Sequence, residues 1–175
     1  MPDKTEIGIR MKENYEQRNQ HYLIRRMPVA IRVDMRAGHT FTKGFKRPFD
    51  YYFQRAMVGT MEYMLENIQG SKFGFCSSDE ITILLTDYDT LETDAWFNYR
   101  QDKLCSISAS MATLAFNRIF DNLVSAHLDD LDARDMDFGN YECSLMAALK
   151  RGAMFDARVF NIPKEEVTNC EYWRQ

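Results

Sequence analysis

The order of strand-like and helix-like patterns is the feature that most strongly constrains what this chain can fold into. Four short runs rich in β-branched and apolar residues predict strands, over residues 27–34, 72–76, 81–86 and 154–160. Apolar residues at helical spacing predict two long helices, over 48–68 and 93–120. The resulting order, β-α-β-β-α-β, is that of the ferredoxin-like fold, an α+β architecture with an antiparallel sheet and helices on one face.

Local signals mark the ends of the two predicted helices. Asp50 is placed to begin the first helix and Gly70 to end it, while Thr93 is placed to cap the second. The side chains expected on the buried face of the second helix are Leu104, Ile107, Met111, Leu114 and Ile119. Residues 122–145 hold five aspartates whose spacing does not match a calcium loop, so we expect a solvated acidic connector there.

Composition excludes several classes of protein. The 175 residues are 45% hydrophobic and 27% charged, which is ordinary for one globular domain, and no apolar run is long enough to predict a transmembrane helix. The first 17 residues show no secretory signal, so we expect a cytoplasmic protein. The four cysteines form no C-x-x-C pair, which argues against a structural zinc site. Residues 1–55 hold 12 Lys/Arg and 6 Asp/Glu, so the basic charge that could meet phosphates is concentrated there.

Two aspartates fall where the predicted topology brings strand ends together. Asp34 ends the first strand, and Asp79 lies at the tip of the predicted hairpin. Because the first and third strands are neighbours in this fold, both carboxylates should reach one edge of the sheet, where a cation would relieve their repulsion. Mg²⁺ prefers one or two carboxylates with water and phosphate oxygens, and two such ions could support an in-line phosphoryl displacement. The alternative is that both are ordinary turn residues.

Further charged residues surround this predicted edge. Glu80 is a third nearby acid, but neighbours in extended backbone point to opposite faces, so only one of residues 79 and 80 should be a primary metal ligand. Basic side chains precede the first helix N-terminus, which favours phosphate, and they are Arg36, His39, Lys43, Lys46 and Arg47. Arg100 and Lys103 lie three apart near the start of the second long helix. Each basic residue taken singly is also compatible with a solvated surface position.

These residues fall in blocks that resemble a known family. The blocks are Arg32-Val33-Asp34, His39-Thr40-Phe41, Arg47-Pro48-Phe49-Asp50, Ser78-Asp79-Glu80, Phe97-Asn98-Tyr99-Arg100 with Lys103, Phe155-Asp156-Ala157-Arg158 and Tyr172-Trp173-Arg174-Gln175. In order and spacing they resemble the tRNA(His) guanylyltransferase family, in particular its guanylyltransferase-like branch of 3′–5′ RNA polymerases. Together the blocks are specific, and they span almost the whole chain.

The resemblance implies a polymerase-like palm domain and a reaction. Two Mg²⁺ ions would be held by Asp34, Asp79 and the backbone carbonyl of Met35. A tRNA 5′-monophosphate would be activated with ATP or GTP, and an incoming NTP would then be joined through its 3′-hydroxyl. In the guanylyltransferase-like branch this repairs tRNAs that lack 5′ nucleotides. The implied partners are tRNA and nucleoside triphosphates, without a membrane, and the implied assembly is a homodimer or homotetramer.

The resemblance also assigns roles to individual residues. Asp34, Asp79 and Glu80 are the predicted catalytic acids. Arg47, Arg100 and Lys103 would contact NTP phosphates, and Asp50 would support the site. The full set predicted to bind the nucleotide is Arg36, His39, Arg47, Asp50, Ser78, Arg100 and Lys103.

The chain departs from the family pattern at three places. Met35 stands where the family usually has Gly, and Gly38 stands where it has an aromatic residue. The sequence ends at Gln175, where family members continue, so we expect one palm-type domain over residues 1–175 without a C-terminal helical extension. These departures keep two alternatives open. One is a non-catalytic palm domain that binds nucleotides or RNA, and the other is a palm-fold nucleotide cyclase.

Overall fold

The computed structural model, which describes residues 5–174, contains one antiparallel sheet in the order β2-β3-β1-β4. The strands are β1 Val29–Met35, β2 Ser71–Ser77, β3 Glu80–Leu85 and β4 Phe155–Asn161. The helices are α1 Glu6–Met11, α2 Gly38–Phe41, α3 Tyr51–Asn67, α4 Gln101–Ala133, α5 Asn140–Arg151 and α6 Val167–Tyr172. The predicted α+β, ferredoxin-like arrangement is confirmed. Gln175, the last residue of the final sequence block, lies outside the described part of the chain.

The central strand β1 divides its side chains between the two faces of the sheet. Val29, Ile31 and Val33 belong to the main core, which lies under α3 and α4. Because side chains alternate along a strand, Arg32 and Asp34 project from the opposite face. α3 packs against β2 and β3, while α4 packs against β4 and β1. The sheet therefore has a helix-covered face and a second face, which we call the back face.

A cluster of phenylalanines fills the core between α2, α3 and α4. Ring centroids within it are 5.5 to 6.4 Å apart, and its members are Phe41, Phe45, Phe53, Phe116 and Phe120. Each buried ring contributes about 1.5–3 kcal/mol relative to an exposed one. This cluster fixes the segment 38–50 against the helices, directly beside the edge at which β1 ends.

The first predicted helix is confirmed, including its N-terminal signal. Asp50 is the N-cap of α3, and its Oδ1 accepts a hydrogen bond from the backbone N–H of Phe53 at 3.0 Å. Gly70 follows the helix with a φ of +80°, a conformation that favours glycine.

The start predicted for the second long helix was wrong. α4 begins at Gln101 and not near Thr93, because Phe97, Asn98 and Tyr99 adopt left-handed φ values of 47°, 52° and 55°. Such residues cannot continue a right-handed helix. The hydroxyl of Thr93 instead accepts a hydrogen bond from the backbone N–H of Thr90 at 2.9 Å, within the preceding loop.

The acidic connector predicted over residues 122–145 was also wrong. α4 runs on to Ala133, since Phe120, Val124 and Leu128 continue its apolar stripe, and α5 begins at Asn140. The aspartates are nonetheless solvent-exposed on the outer side of this region. Leu114, expected in the buried stripe, is 45% exposed, because small Ala and Ser side chains occupy much of the buried face of α4.

Within the described residues, no helix has the length and apolar character needed to cross a membrane.

Candidate active site

The end of β1 and the tip of the β2–β3 hairpin meet at one edge of the sheet. Asp34 lies opposite Glu80 in the β1–β3 register, and Ser78 and Asp79 form the two-residue turn of the hairpin. Ser78 adopts a φ of 53°, as such tight hairpin turns require. The backbone N–H of Met35 donates to the carbonyl of Asp79 at 3.0 Å, which ties the turn to the end of β1. The structure thus brings Asp34 and Asp79 together as the sequence predicts.

The carboxylates of Asp34 and Asp79 are half-buried and unneutralised. Among residues 5–174, neither one receives a hydrogen bond or an ion pair from another side chain or N–H. Burial raises the pKa of Asp34 above its usual value, and repulsion from Asp79, Glu80 and Asp156 raises it further. Arg158 offsets part of this effect. Two such carboxylates would be stabilised by a cation.

The donor set suits a hard cation that completes its shell with other oxygens. The described residues include no group of three or more His, Cys, Asp or Glu side chains placed to hold a metal ion. Mg²⁺ does not need such a cage, since one or two carboxylates with water and substrate phosphates suffice. The residues present at this edge therefore fit Mg²⁺.

The two residues that depart from the family pattern fit their positions differently. Met35 ends β1 without a left-handed φ, and its side chain is buried in the core, so the backbone here does not require glycine. At Gly38, by contrast, an added Cβ would lie 1.9 Å from Oδ2 of Asp79. The Asp79 carboxylate therefore packs directly on the Gly38 backbone, in space that any side chain at position 38 would fill.

A cavity of about 700 Å³ opens beside Asp79, within the usual range for small-molecule sites. Five predicted site residues line it, namely His39, Arg47, Asp50, Ser78 and Asp79. Its other walls combine basic and apolar side chains, including Lys46, Arg55, Phe45, Phe49 and Phe53. The cavity thus offers positive charge and aromatic surface next to the unpaired acids.

Asp50 is buried in the cavity wall, and its carboxylate has three hydrogen-bond donors. Besides the Phe53 N–H, the backbone N–H of Lys46 donates at 3.2 Å and the Tyr141 hydroxyl at 2.7 Å, both to Oδ2. The Lys46 ammonium lies 4.4 Å from the Tyr141 ring centroid. Burial and the Asp50 carboxylate together raise the pKa of Tyr141. Asp50 therefore holds the cavity wall together.

Glu80 is in a quite different environment from Asp79. It is 6% exposed, and its carboxylate lies between two guanidinium groups on the back face. Nε of Arg32 lies 3.2 Å from Oε1, and Nε of Arg174 donates to the same oxygen at 2.8 Å. Nη2 of Arg174 donates to Oε2, so the pair is bidentate. Glu80 is neutralised and does not line the cavity.

Arg100 and Lys103 lie far from the acid edge. Phe155, which pairs with Met35, donates its N–H to the Thr113 hydroxyl, so it is the middle of α4 that lies beside this edge. Arg100 precedes Thr113 by about 20 Å of helix and forms an ion pair with Asp102 at 2.9 Å. The expectation that both basic groups gather at the acid edge is wrong for the isolated chain. Arg36 is exposed immediately after β1.

Sequence reasoning missed two residues in these networks. No sequence signal marks Tyr141, because the aspartate-rich stretch before it indicates a connector and not the helix α5. Arg174 stood within a recognised sequence block, but only the folded chain shows that it reaches the hairpin.

Comparisons with known proteins find one family, one viral relative and several solved structures that are similar to this chain. Residues 9–163 match the sequence model of a family described as tRNAHis guanylyltransferase. An uncharacterized protein of Acanthamoeba polyphaga mimivirus is 29% identical over 181 residues, covering 96% of this chain. Structures of a bacterial tRNA(His) guanylyltransferase-like protein, in complex with ATP and with GTP, match 97% of this chain with 38% identity and TM-scores of 0.77.

A more distant structure shows the same fold. The tRNA(His) guanylyltransferase of Saccharomyces cerevisiae matches 93% of this chain and 64% of its own, with a TM-score of 0.63 and 20% identity. The present chain spans 57% of the viral protein, 64% of the bacterial chain bound to ATP and 70% of the one bound to GTP.

Proposed function

Because the chain belongs to the tRNAHis guanylyltransferase family, we propose that it is a Mg²⁺-dependent nucleotidyltransferase that adds nucleotides to the 5′ end of tRNA. In this proposal an NTP first activates the 5′-phosphate, and a second nucleotide is then joined in the 3′–5′ direction. The ATP and GTP bound by the bacterial relative support nucleoside triphosphates as substrates. We also propose that the protein works as a homodimer or homotetramer and as one palm-type domain.

The observation that carries the proposal is the unpaired acid pair beside the basic cavity. Among residues 5–174, the carboxylates of Asp34 and Asp79 have no hydrogen-bond donor or ion-pair partner, whereas each of the three fully buried acids, Asp50, Glu80 and Asp87, has donors or an ion pair. A structural role would not need two repelling carboxylates at one edge of the sheet, with one of them, Asp79, lining a cavity. A phosphoryl-transfer site does need them, because the phosphates and their metal ions must be held together.

The residues of the chain have distinct parts in this proposal. Asp34, Asp79 and the carbonyl of Met35 would hold Mg²⁺, and Glu80, paired with Arg32 and Arg174, would support the hairpin that carries Asp79. When bound, Mg²⁺ would supply positive charge that polarises the attacked phosphate and lowers the pKa of the attacking hydroxyl. The residues that would bind or orient the nucleotide at the cavity are His39, Arg47, Asp50 and Ser78, and Arg36, exposed just after β1, would contact it from outside the cavity lining. Arg100 and Lys103 would meet phosphates only at the other end of the sheet.

The test uses purified protein, Mg²⁺, labelled NTPs and a tRNA that lacks its 5′ nucleotide but carries a 5′-monophosphate. Products are resolved on a sequencing gel. We expect growth at the 5′ end and a loss of at least about 100-fold in Asp79→Ala, because one charge-stabilising group is removed from the transition state. Asp132→Ala, which removes an exposed acid of α4, is the matched control and should keep full activity.

The two alternative functions give different results in the same assay. Mg²⁺-dependent NTP binding without RNA growth would identify a non-catalytic palm domain. A cyclic nucleotide formed from NTP alone would identify a cyclase. Either result would overturn the proposal.

A further inference from the structure

Three acids lie side by side across the back face of the sheet. Asp34 on β1 pairs in register with Glu80 on β3 and with Asp156 on β4. Directly opposite residues in an antiparallel sheet have Cβ atoms about 4.5–5.5 Å apart. The Glu80 side chain, which is one methylene longer than that of Asp, is therefore long enough to reach a cation held by Asp34. It is nevertheless directed elsewhere.

Two arginines from different parts of the chain hold Glu80 in its present position. Arg32 lies on the same face of β1, and the side chains of this ion pair are only 8% and 7% exposed. Arg174 follows α6 and takes both carboxylate oxygens of Glu80. The Arg32 guanidinium also lies over the rings of Phe160 and Trp173, at 5.6 and 5.8 Å from their centroids. These contacts form a clamp, which we define as Arg32, Glu80, Trp173 and Arg174.

We propose that Arg174, together with Arg32, withholds Glu80 from the metal site and so keeps that site selective for Mg²⁺ over Ca²⁺. The inference rests on the proposed function, since it concerns the ions held by Asp34 and Asp79. Mg²⁺ binds through one or two carboxylates and keeps several waters, whereas Ca²⁺ takes six to eight oxygens and binds more tightly as carboxylates are added. A third carboxylate would favour Ca²⁺.

Other features of the described residues agree with this role. No three acids are placed to hold a cation together, although three lie in register at one edge. The pKa of Arg174 is raised chiefly by its hydrogen bond to Glu80, with smaller contributions from Asp34 and Asp79. Because Glu80 is directly opposite Asp34 in the sheet, Arg174 lies near the metal edge, and its removal would leave Oε2 of Glu80 without its arginine partner. Arg174 is a positioning residue that acts through Glu80.

The experiment measures ion binding by the full chain without nucleotide. Calorimetric titrations with CaCl₂ and with MgCl₂ are compared for the wild type and Arg174→Gln. We expect the variant to bind Ca²⁺ about tenfold more tightly, with a much smaller change for Mg²⁺, as one carboxylate is added to the site. Arg174→Lys keeps the positive charge but loses the planar guanidinium that binds both carboxylate oxygens, so it should raise the Ca²⁺ affinity less than Arg174→Gln does. Circular dichroism establishes that each variant is folded.

Two further variants separate this mechanism from a general change of charge. Arg158→Gln removes a positive charge near Asp34 but leaves the clamp intact, so it should affect both ions equally. The double variant Arg174→Gln/Glu80→Gln has no carboxylate at position 80 to release, so its Ca²⁺/Mg²⁺ selectivity should return to that of the wild type. The proposal is overturned if Arg174→Gln leaves the Ca²⁺/Mg²⁺ ratio unchanged, if Arg158→Gln changes it as much, or if no variant binds either ion.

The result is separable from that of the RNA assay. If Arg174→Gln binds Ca²⁺ more tightly but the wild-type protein does not extend RNA, the clamp is supported and the proposed function is contradicted. RNA extension without the Ca²⁺ shift would support the function and contradict the clamp.

Discussion

Asp79 and Glu80 are neighbours in the chain but belong to two opposite environments. The Asp79 carboxylate lies at the cavity edge, packed on Gly38 and without a cation. The Glu80 carboxylate lies on the back face, buried and bound by Arg32 and Arg174. The hairpin turn causes the difference, since β3 begins at Glu80 and Asp79 is still in the turn.

The comparison teaches that one acidic dipeptide serves two purposes. An unneutralised acid beside a cavity destabilises the fold and is available for chemistry. A neutralised acid secures the hairpin on which the first one stands.

Removing the buried acid should have the largest effect on stability. In Glu80→Ala the nearly buried Arg32 loses its carboxylate, which costs about 3–5 kcal/mol of unfolding free energy for a broken buried pair. Urea denaturation followed by circular dichroism measures the change. Glu66→Ala, at an exposed position of α3, should change stability by less than about 0.5 kcal/mol. Equal losses in both variants would remove the distinction between buried and exposed acids.

A methyl group at position 38 should disturb the cavity side. Gly38→Ala places a Cβ against Asp79 Oδ2, and overpacking of this kind costs about 1–3 kcal/mol unless the carboxylate moves. If it moves, nucleotide transfer should fall by roughly 100-fold, because reacting groups tolerate little displacement. Steady-state kinetics with denaturation curves measures both effects. In Gly59→Ala the tightest contact of the new methyl is 3.1 Å to Cδ1, the flexible end of the Ile119 side chain, so activity should be kept.

The Tyr141 hydroxyl should have a moderate effect on the cavity wall. Tyr141→Phe removes the 2.7 Å hydrogen bond to Asp50 and leaves two backbone donors, which should cost about 1–2 kcal/mol of stability. We expect the KM for NTP to rise more than kcat falls, because Asp50 orders the wall that carries Lys46. A fall in kcat with an unchanged KM would contradict the claim that Tyr141 supports nucleotide binding through Asp50.

The smallest effect should be a stabilisation by Asp34→Asn in metal-free buffer. The folded-state pKa of Asp34 lies above its unfolded value of 3.8, so ionising this group costs stability. The cost is full at neutral pH and disappears as the pH falls below the unfolded value. Asp34→Asn should therefore raise the unfolding free energy at pH 7, and this increase should shrink as the pH falls toward 3.8. Denaturation with EDTA across this range measures it, and a destabilised Asn variant at pH 7 would contradict the account.

Most of the fold could be predicted from the sequence because its signals are local. Alternating apolar residues in β1, the Asp50 cap and the polar hairpin tip each act within a few residues. The start of α4 could not be predicted in this way. Its delay comes from three left-handed residues that no glycine marks, among them Asn98, whose side chain is held by Arg25 from a distant segment.

The site was predictable only in part, for a similar reason. Topology alone was enough to place Asp34 and Asp79 at one edge. Arg174 binds Glu80 and Tyr141 binds Asp50, and in each pair the two residues are about 90 positions apart in the chain. No local sequence pattern indicates such contacts. The prediction for Arg100 and Lys103 was wrong because α4 begins toward the opposite end of the sheet from Asp34, and helical periodicity does not indicate which end a helix start occupies.

A structure with Mn²⁺ in place of Mg²⁺ and with ATP would test the central claim most directly. Anomalous scattering locates the metal ion independently of the protein. We expect a peak bound by the carboxylates of Asp34 and Asp79, with Glu80 still held by Arg32 and Arg174. A peak bound by Glu80, or no peak at this edge at saturating Mn²⁺ and ATP, would contradict the division between the free and the clamped acid.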